Sequence, residues 1–538
     1  MTADRAALVA GILANPDDDT PRLVAADWFE ENGDSARGEF IRVQVNRARL
    51  PPTDPQQPEL AARELRLLKE HAERWMGAHF AFKKCRFRRG FIEYVHLHLT
   101  HFLHHRRELL ALEPVRDISL TGWMRATASL VSRVAGCEEL RHIETLRFHH
   151  QGPHKHPRGE CAILLDSPHL TGLKKLHFTM ISVTTEERRR IERSHAFARA
   201  SDIMLPYMGW LPDDPGGWFS NGVPAGALAN ARALRVGGSS LPEATLNRLA
   251  AHACWKRLEE LTVRIGWSQP PAIEALSANL PPNVRTLRLN GGQQFEAGDA
   301  AVGLFERAGA LPLQELELRA LPLSADSLGA LLSGKKTLRR FAIDIREYYG
   351  DQEFSEDALR VVASAPALRE VSELQLVTNG TFTADAAEAL FAPGNMPNLV
   401  SLDLIGTGLG EAGARALAAA EFPALQRLKF SGFSLPETQL RAVLRSKTCK
   451  NLVALHYSGA GWNEPEHFSP ACAAALAKLP YLSSVRLEVE KVTEELREPL
   501  ANVPWLHVGS ENRENWGDYD PNVCAPIDDE LKHADQGG

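Results

Sequence analysis

Residues 399–435, LVSLDLIGTGLGEAGARALAAAEFPALQRLKFSGFSL, contain one short phrase twice. Leu399, Leu402 and Leu404 return 26 residues later as Leu425, Leu428 and Phe430. The spacing LxxLxL alternates apolar and polar side chains over its last positions, which predicts a short strand with one buried face. Between the copies, GEAGARALAAAE is a run of good helix formers. It can turn Leu409, Ala414 and Leu417 inward while Glu411 and Arg415 meet water. Strand, turn, helix and strand again make one supersecondary unit that cannot bury its apolar face alone, so neighbouring units must stack on it.

The same three apolar positions recur along the chain, with first positions at Ile92, Val115, Ile143, Leu173, Ala231, Leu258, Val284, Leu313, Leu338, Val371, Leu399, Leu425, Leu452 and Leu482. Together with the LxxLxLxxTxLxxxG form at 399–413, this resembles the leucine-rich repeats of the ribonuclease-inhibitor-like class. The resemblance implies an α/β solenoid, a horseshoe with a parallel β concave face and a helical convex face. The polar position that often carries Asn in that class does so only at Asn379. Thr100, Ser239 and Thr407 can replace it, so the horseshoe is expected to be irregular. The 58-residue step from Leu173 to Ala231 reads as one repeat plus an insertion at about 185–228.

Residues 1–50 lie outside the repeat and read as a small all-α module. One helix covers 3–14; Thr20-Pro21 caps a second over 22–31, ended by Asn32-Gly33; a third runs over about 35–49. DDDTPRLVAADWFEENGD followed by ARGEFIRVQ resembles the repeat-companion domain, a bacterial module found ahead of repeat arrays. Asp27, Trp28, Glu31, Gly33, Glu39, Phe40, Ile41 and Gln44 carry that likeness, which implies an architecture rather than an activity. The acidic run 17–19 is no calcium loop, because Trp28 stands where the bidentate Glu would be. A proline-rich linker (51–58) and a charged amphipathic helix (59–75) lead to AFKKCRFRRGF. There Lys83, Lys84, Arg86, Arg88 and Arg89 alternate with Phe82, Phe87 and Phe91. That pattern would suit nucleic acid, but phenylalanines capping the first repeat is the preferred reading.

A chain of 538 residues with net charge −7, 24% charged and 44% hydrophobic residues makes no global case for nucleic acid. Seven cysteines without a CxxC pair argue against a disulfide framework or zinc knuckle and fit a reducing cytoplasm. The apolar run at 6–14 is short for a leader's core and continues as helix. No later segment approaches the ~20 apolar residues of a membrane span. Residues 509–538 hold eight acids against two basic residues and read as an acidic tail after the last repeat.

The fifth position of each unit points to the concave face and forms a column: His96, Ser119, Arg147, His177, Arg235, Thr262, Arg288, Glu317, Ala342, Gln375, Asp403, Lys429, His456, Arg486. With Arg264 and Asp344 from a neighbouring column, the wall reads as basic, then acidic, then basic. Such zones would orient a charged protein partner. The candidate partner-binding residues are therefore Arg147, His177, Arg235, Arg264, Arg288, Glu317, Asp344, Asp403, Lys429 and Arg486. Tyr207, Trp210, Trp218 and Phe219 of the insertion are candidate interface anchors, or rings that pack back on the solenoid.

Catalytic signatures are weak. GALLSGKK at 329–336 nearly matches a phosphate-binding loop, but Lys336 replaces the Ser/Thr, and the segment ends a helix instead of joining strand to helix. HExxH and GxSxG are absent. The expected function is non-catalytic protein recognition without cofactor or metal. The histidines of the first repeats keep a metal- or nucleotide-dependent enzyme open, and a structural spacer is the third reading.

Overall fold

The computed structural model describes residues 2–76, 85–149, 160–179, 183–205, 218–219, 222–224, 226–236, 243–265, 270–291, 298–319, 321, 323–344, 356–378, 382–406, 408–433, 435–459, 468–489 and 493–509. Four helices come first: α1 (Thr2–Ala14), α2 (Thr20–Glu31), α3 (Ser35–Arg49) and α4 (Gln57–Met76). A hairpin follows, β1 (Cys85–Arg88) antiparallel to β2 (Phe91–His98). Then each repeat adds one strand: β3 (Asp117–Thr121), β4 (Thr145–His149), β5 (Lys175–Thr179), β6 (Asp202–Leu205), β7 (Ala233–Val236), β8 (Glu260–Ile265), β9 (Thr286–Gly291), β10 (Glu315–Arg319), β11 (Arg340–Asp344), β12 (Glu373–Val377), β13 (Ser401–Ile405), β14 (Arg427–Phe433), β15 (Ala454–Gly459), β16 (Ser484–Glu488) and β17 (Trp505–Gly509). From β2 to β17 every pairing is parallel and joins consecutive strands. This is the leucine-rich-repeat solenoid, an α/β fold preceded by helices.

The apolar phrase builds it by burial. Leu399, Leu402 and Leu404, like Leu425, Leu428 and Phe430, are at most 2% exposed and join a core that runs from Phe40 to Val508. A hydroxyl starts several return helices: Thr127, Thr184, Ser324, Thr383 and Ser469 each accept from the amide three residues on. That satisfies a helix N–H that would otherwise lack a partner.

One unit escapes the sequence reading, and the last is read without its leading position. Ala200, Ile203 and Leu205 are buried, and β6 pairs with β5 and β7. The stretch read as an insertion therefore contains a repeat, and its charged helix, Thr185–Arg193, is the return helix that leads from β5 to it. Val503, Leu506 and Val508 form the last phrase on β17.

The first three helices pack directly on the first repeat. Gly33 has φ +87° and ends α2 as expected, while Asp19 rather than Thr20 stands at the cap position. Phe87 and Phe91 are buried at the start of the sheet; Phe82, Lys83 and Lys84 lie outside the described residues. Arg37, 1% exposed, donates to Glu113 at 3.1 and 3.2 Å. Its guanidinium lies 5.0–6.0 Å from the ring centroids of Phe29, Phe40, Trp75, Phe87 and Phe91. A buried cation is tolerable on such terms, with a carboxylate and aromatic faces in place of water.

Candidate recognition surface

Parallel pairing, whose one register shift lies past the row at Ser431/Phe433 of β14, turns sequence columns into rows on the concave wall. Cα partners run His96, Ser119, Arg147, His177, Met204, Arg235, Thr262, Arg288, Glu317, Ala342, Gln375, Asp403, Lys429, His456, Arg486 and His507. The column read from the sequence is therefore a real row, with Met204 and His507 added.

Its electrostatics differ from the expectation. Arg147, His177, Arg235 and Arg288 are 3–9% exposed, and each cation is held by carboxylates two positions earlier in a phrase. Arg147 donates to both oxygens of Asp117, at 3.0 and 2.9 Å. Arg235 grips Glu260 through Nε (2.5 Å) and Nη2 (3.1 Å) and reaches Asp202 Oδ2 at 3.3 Å. Arg288 bonds Glu260 and, at 2.9 Å, Glu315. Glu317 lies 3.6 Å from Arg288 and pairs with Arg319. The first half of the wall is thus a ribbon of alternating charge, not a basic zone. The reason is desolvation: a permanently charged guanidinium this deep is tolerable only beside a carboxylate that offsets the lost water.

His177 sits inside this ribbon. Its Nδ1 is 2.9 Å from Arg147 Nη1, and its Nε2 is 3.2 Å from Asp202 Oδ1 and 3.1 Å from Arg235 Nη1. Both ring nitrogens therefore face a guanidinium donor, and Nε2 also stands within ion-pair distance of Asp202. Burial pushes the imidazole below its ordinary value, and the two guanidiniums add to that against the pull of Asp202. For Asp202 burial acts upward, but the His177 hydrogen bond and the nearby cations outweigh it and hold the carboxyl well below the usual range.

Beyond β10 the wall is more open. Arg427 and Arg340 bracket Glu373 at 3.2 and 3.9 Å. Asp403 is 3.5 Å from Gln375, Lys429 stands beside His456, and Arg486 Nε donates to Glu488 at 2.7 Å. Glu488, partly buried but fed by His456 and Arg486, is lowered to about 2. Arg264 is half-buried on β8, and Asp344 is 7% exposed on β11.

The remaining candidates fall elsewhere. Trp218 and Phe219 are 2% and 1% exposed and pack with Phe178 and Phe197, so they are core rings and not anchors; aromatic area of that size is worth more inside than on a wet loop. Tyr207, Trp210, His150, His154, His156, Ser239, Asn379, Thr407 and the acidic tail lie outside the described residues. His98 caps the helix Leu99–Leu112 by accepting from Thr100 N, and His96 meets Ser119 Oγ at 3.1 Å. Among the described residues no three His, Cys, Asp or Glu side chains are grouped as metal ligands. In the stretch resembling a phosphate loop, Lys335 is buried and donates to the carbonyls of Ala308 (2.8 Å) and Leu311 (2.5 Å); burial lowers it to about 8. It closes a repeat helix instead of cradling phosphate. The carboxylates that complete the wall stand in the third position of five phrases, at Asp117, Asp202, Glu260, Glu315 and Glu373, where nothing local in the sequence marks them as partners of the fifth-position cations.

No family model matches the chain, and no curated protein matches it. Among solved structures, the crystal structure of the Rad7 and Elc1 complex in yeast matches with 13% identity and TM-score 0.36, covering 89% of this chain and 87% of that one. A crystal structure of a Bacteroides fragilis protein matches with 11% identity and TM-score 0.30, covering 53% of this chain and 76% of that one. Among the described residues, no helix is long and apolar enough to cross a membrane.

Proposed function

We propose that this protein is a non-catalytic adaptor that recognises another protein on its concave wall. The observation that carries the reading is the ion-paired ribbon. Side chains already fixed by Asp117, Asp202, Glu260 and Glu315 lose little further freedom when a partner docks. Their alternating signs favour register and specificity over raw attraction. In this reading Arg147, His177, Arg235 and Arg288 hold the wall in shape. The contacts fall to the more accessible Arg264, Glu317, Asp403, Lys429 and Arg486, while the buried Asp344 joins the residues that hold the wall in shape. Nucleic acid is disfavoured, since phosphate binding needs cations that are not already neutralised. The likeness of residues 2–46 to the companion module supports a bacterial, cytoplasmic setting.

The test is affinity capture from a native lysate with the intact chain and with an Asp403→Lys, Lys429→Glu, Arg486→Glu triple variant whose fold is checked by circular dichroism. A protein retained by the first and lost by the second supports the site. Equal capture by both overturns it. Arg235 and Arg288 are unsuitable probes, because reversing a buried paired charge breaks the fold as well as any binding.

A further inference from the structure

Helix α4 has two buried flanks. On one, Leu67, Leu68 and Trp75 join the main core with Phe40 and Phe87. Glu64 on that side meets Gln44 at 2.7 Å and pairs with Arg47, tying α4 to α3. In turn α3 is fixed to the start of the sheet, where Gln44 Oε1 accepts from Gly90 N at 2.6 Å. On the other flank, Ala61 and Leu65 bury themselves against Val453, with Tyr481 and Trp505 around them. Trp505 Nε1 donates to the Leu65 carbonyl at 2.9 Å, Lys69 Nζ lies 5.0 Å from the Trp505 ring centroid, and Gln426 Nε2 donates to the Pro52 carbonyl at 2.9 Å. The segment read as a charged amphipathic helix thus contacts both the first repeat and the last strands.

The order of these contacts is systematic. Pro52 meets Gln426 just before β14, Ala61 and Leu65 cluster with Val453 just before β15 and with Tyr481 ahead of β16, and Leu65 and Lys69 meet Trp505 at the start of β17. Residues 57–69 of a helix span about 18 Å, and four neighbouring strands span about 14 Å, so α4 crosses their leading edges. Sixteen parallel strands at about 4.8 Å cover about 72 Å, and the last turns of α4 add about 10 Å, which gives a perimeter near ~82 Å. The corresponding Cα diameter is about 26 Å, and side-chain layers of about 5 Å on each side leave about 16 Å. A helix about 10–12 Å wide passes through such an opening, whereas a 100-residue domain with a radius of gyration near ~13 Å does not.

We propose that α4 closes the horseshoe into a ring, and that the partner on the concave wall is a single helical or extended polypeptide segment entering along the ring axis. The second clause rests on the recognition reading above; the first stands without it.

The test needs no partner, so its failure is distinct from a failed capture. In a Cys524→Ser background, one thiol is introduced inside the ring at Ser401→Cys or outside at Arg415→Cys, whose parent side chain is 73% exposed. The six described native cysteines are buried and serve as silent background, checked by peptide mass spectrometry. Each site is labelled with a small maleimide and with a maleimide rigidly fused to a folded 100-residue-class domain. The expected result is that the domain-borne reagent, normalised to the small one, labels the inner site at least tenfold more slowly than the outer. Leu65→Asp should restore the inner rate and enlarge the radius of gyration in solution scattering. Trp505→Phe, which keeps the packing and loses only the carbonyl bond, gives an intermediate rate if Leu65→Asp fails to fold. Equal normalised rates in the intact chain overturn the closed ring. Slow inner labelling that neither seam variant changes overturns the role of α4.

Discussion

His177 shows how a single side chain can make this wall sensitive to acid. Burial lowers its affinity for a proton from the ordinary value of 6.5, with Asp202 opposing and Arg147 and Arg235 reinforcing. The unfolded chain then binds the proton more readily, so the stability is complete above the unfolded value and drains away as pH falls below it. His456, lowered first by burial beside Glu488, acts in the same direction. Asp202 and Glu488 have depressed values, so their contribution is present above the unfolded carboxylate range and fails only at more acid pH. Between about pH 7.5 and about pH 5.5 the histidines therefore dominate. Urea unfolding over that window should show a larger loss in the wild type than in His177→Gln. Matching losses would mean that the imidazole is not the titrating group.

The β1–β2 hairpin is where an element depends on one backbone conformation. Gly90 has φ +90°, and a Cβ there would lie 2.3 Å from Ile41 Cγ1 and 2.7 Å from its Cα. No rotamer relieves a clash with the backbone of α3. Gly90→Ala should destabilise the chain by about 1–3 kcal/mol through left-handed strain and displacement of α3. Thermal unfolding is the measurement, with Gly334→Ala as control: it shares a positive φ (+72°) but meets nothing within 4 Å. A similar loss at both positions would assign the effect to φ alone and not to the contact with α3.

Charged pairs cross the boundary drawn at residue 50, so the N-terminal helices and the first repeat are expected to unfold together. Arg22 pairs with Glu93, and both Arg5 and Arg37 pair with Glu113, which joins residues 1–50 to the first repeat. The satellite core of those helices is small and includes Phe91 of β2. Removing residues 1–50 would leave Glu93 and Glu113 without these cations and expose Phe91. The truncated chain should lose amide-exchange protection in β1–β3 and unfold at lower temperature, while the isolated 1–50 fragment should show little cooperative structure. A separately folding fragment and an unchanged remainder would contradict this.

The repeat was legible from residues alone because LxxLxL is a local period, and in-register parallel pairing preserves its order across the wall. That is why the row from His96 to Arg486 could be read before any coordinates. Ala200 and Val503 were not legible, the first because a small alanine fills the leading position amid charged neighbours, the second because Trp505 and His507 obscure the alternation. The partners of Arg235 and Arg288 come from different strands, 25–33 residues away, and the third-position acids look like ordinary soluble residues until burial removes their water. Trp218 and Phe219 read as loop aromatics for the same reason, since only packing against Phe178 and Phe197 makes them core. Farthest from view was the seam of Pro52 with Gln426 and of α4 with Trp505, at separations of 374 and 440 residues. A helix with two apolar flanks declares that it has two neighbours; which ones they are depends on the accumulated curvature of every repeat between them, and that exists only in the folded chain.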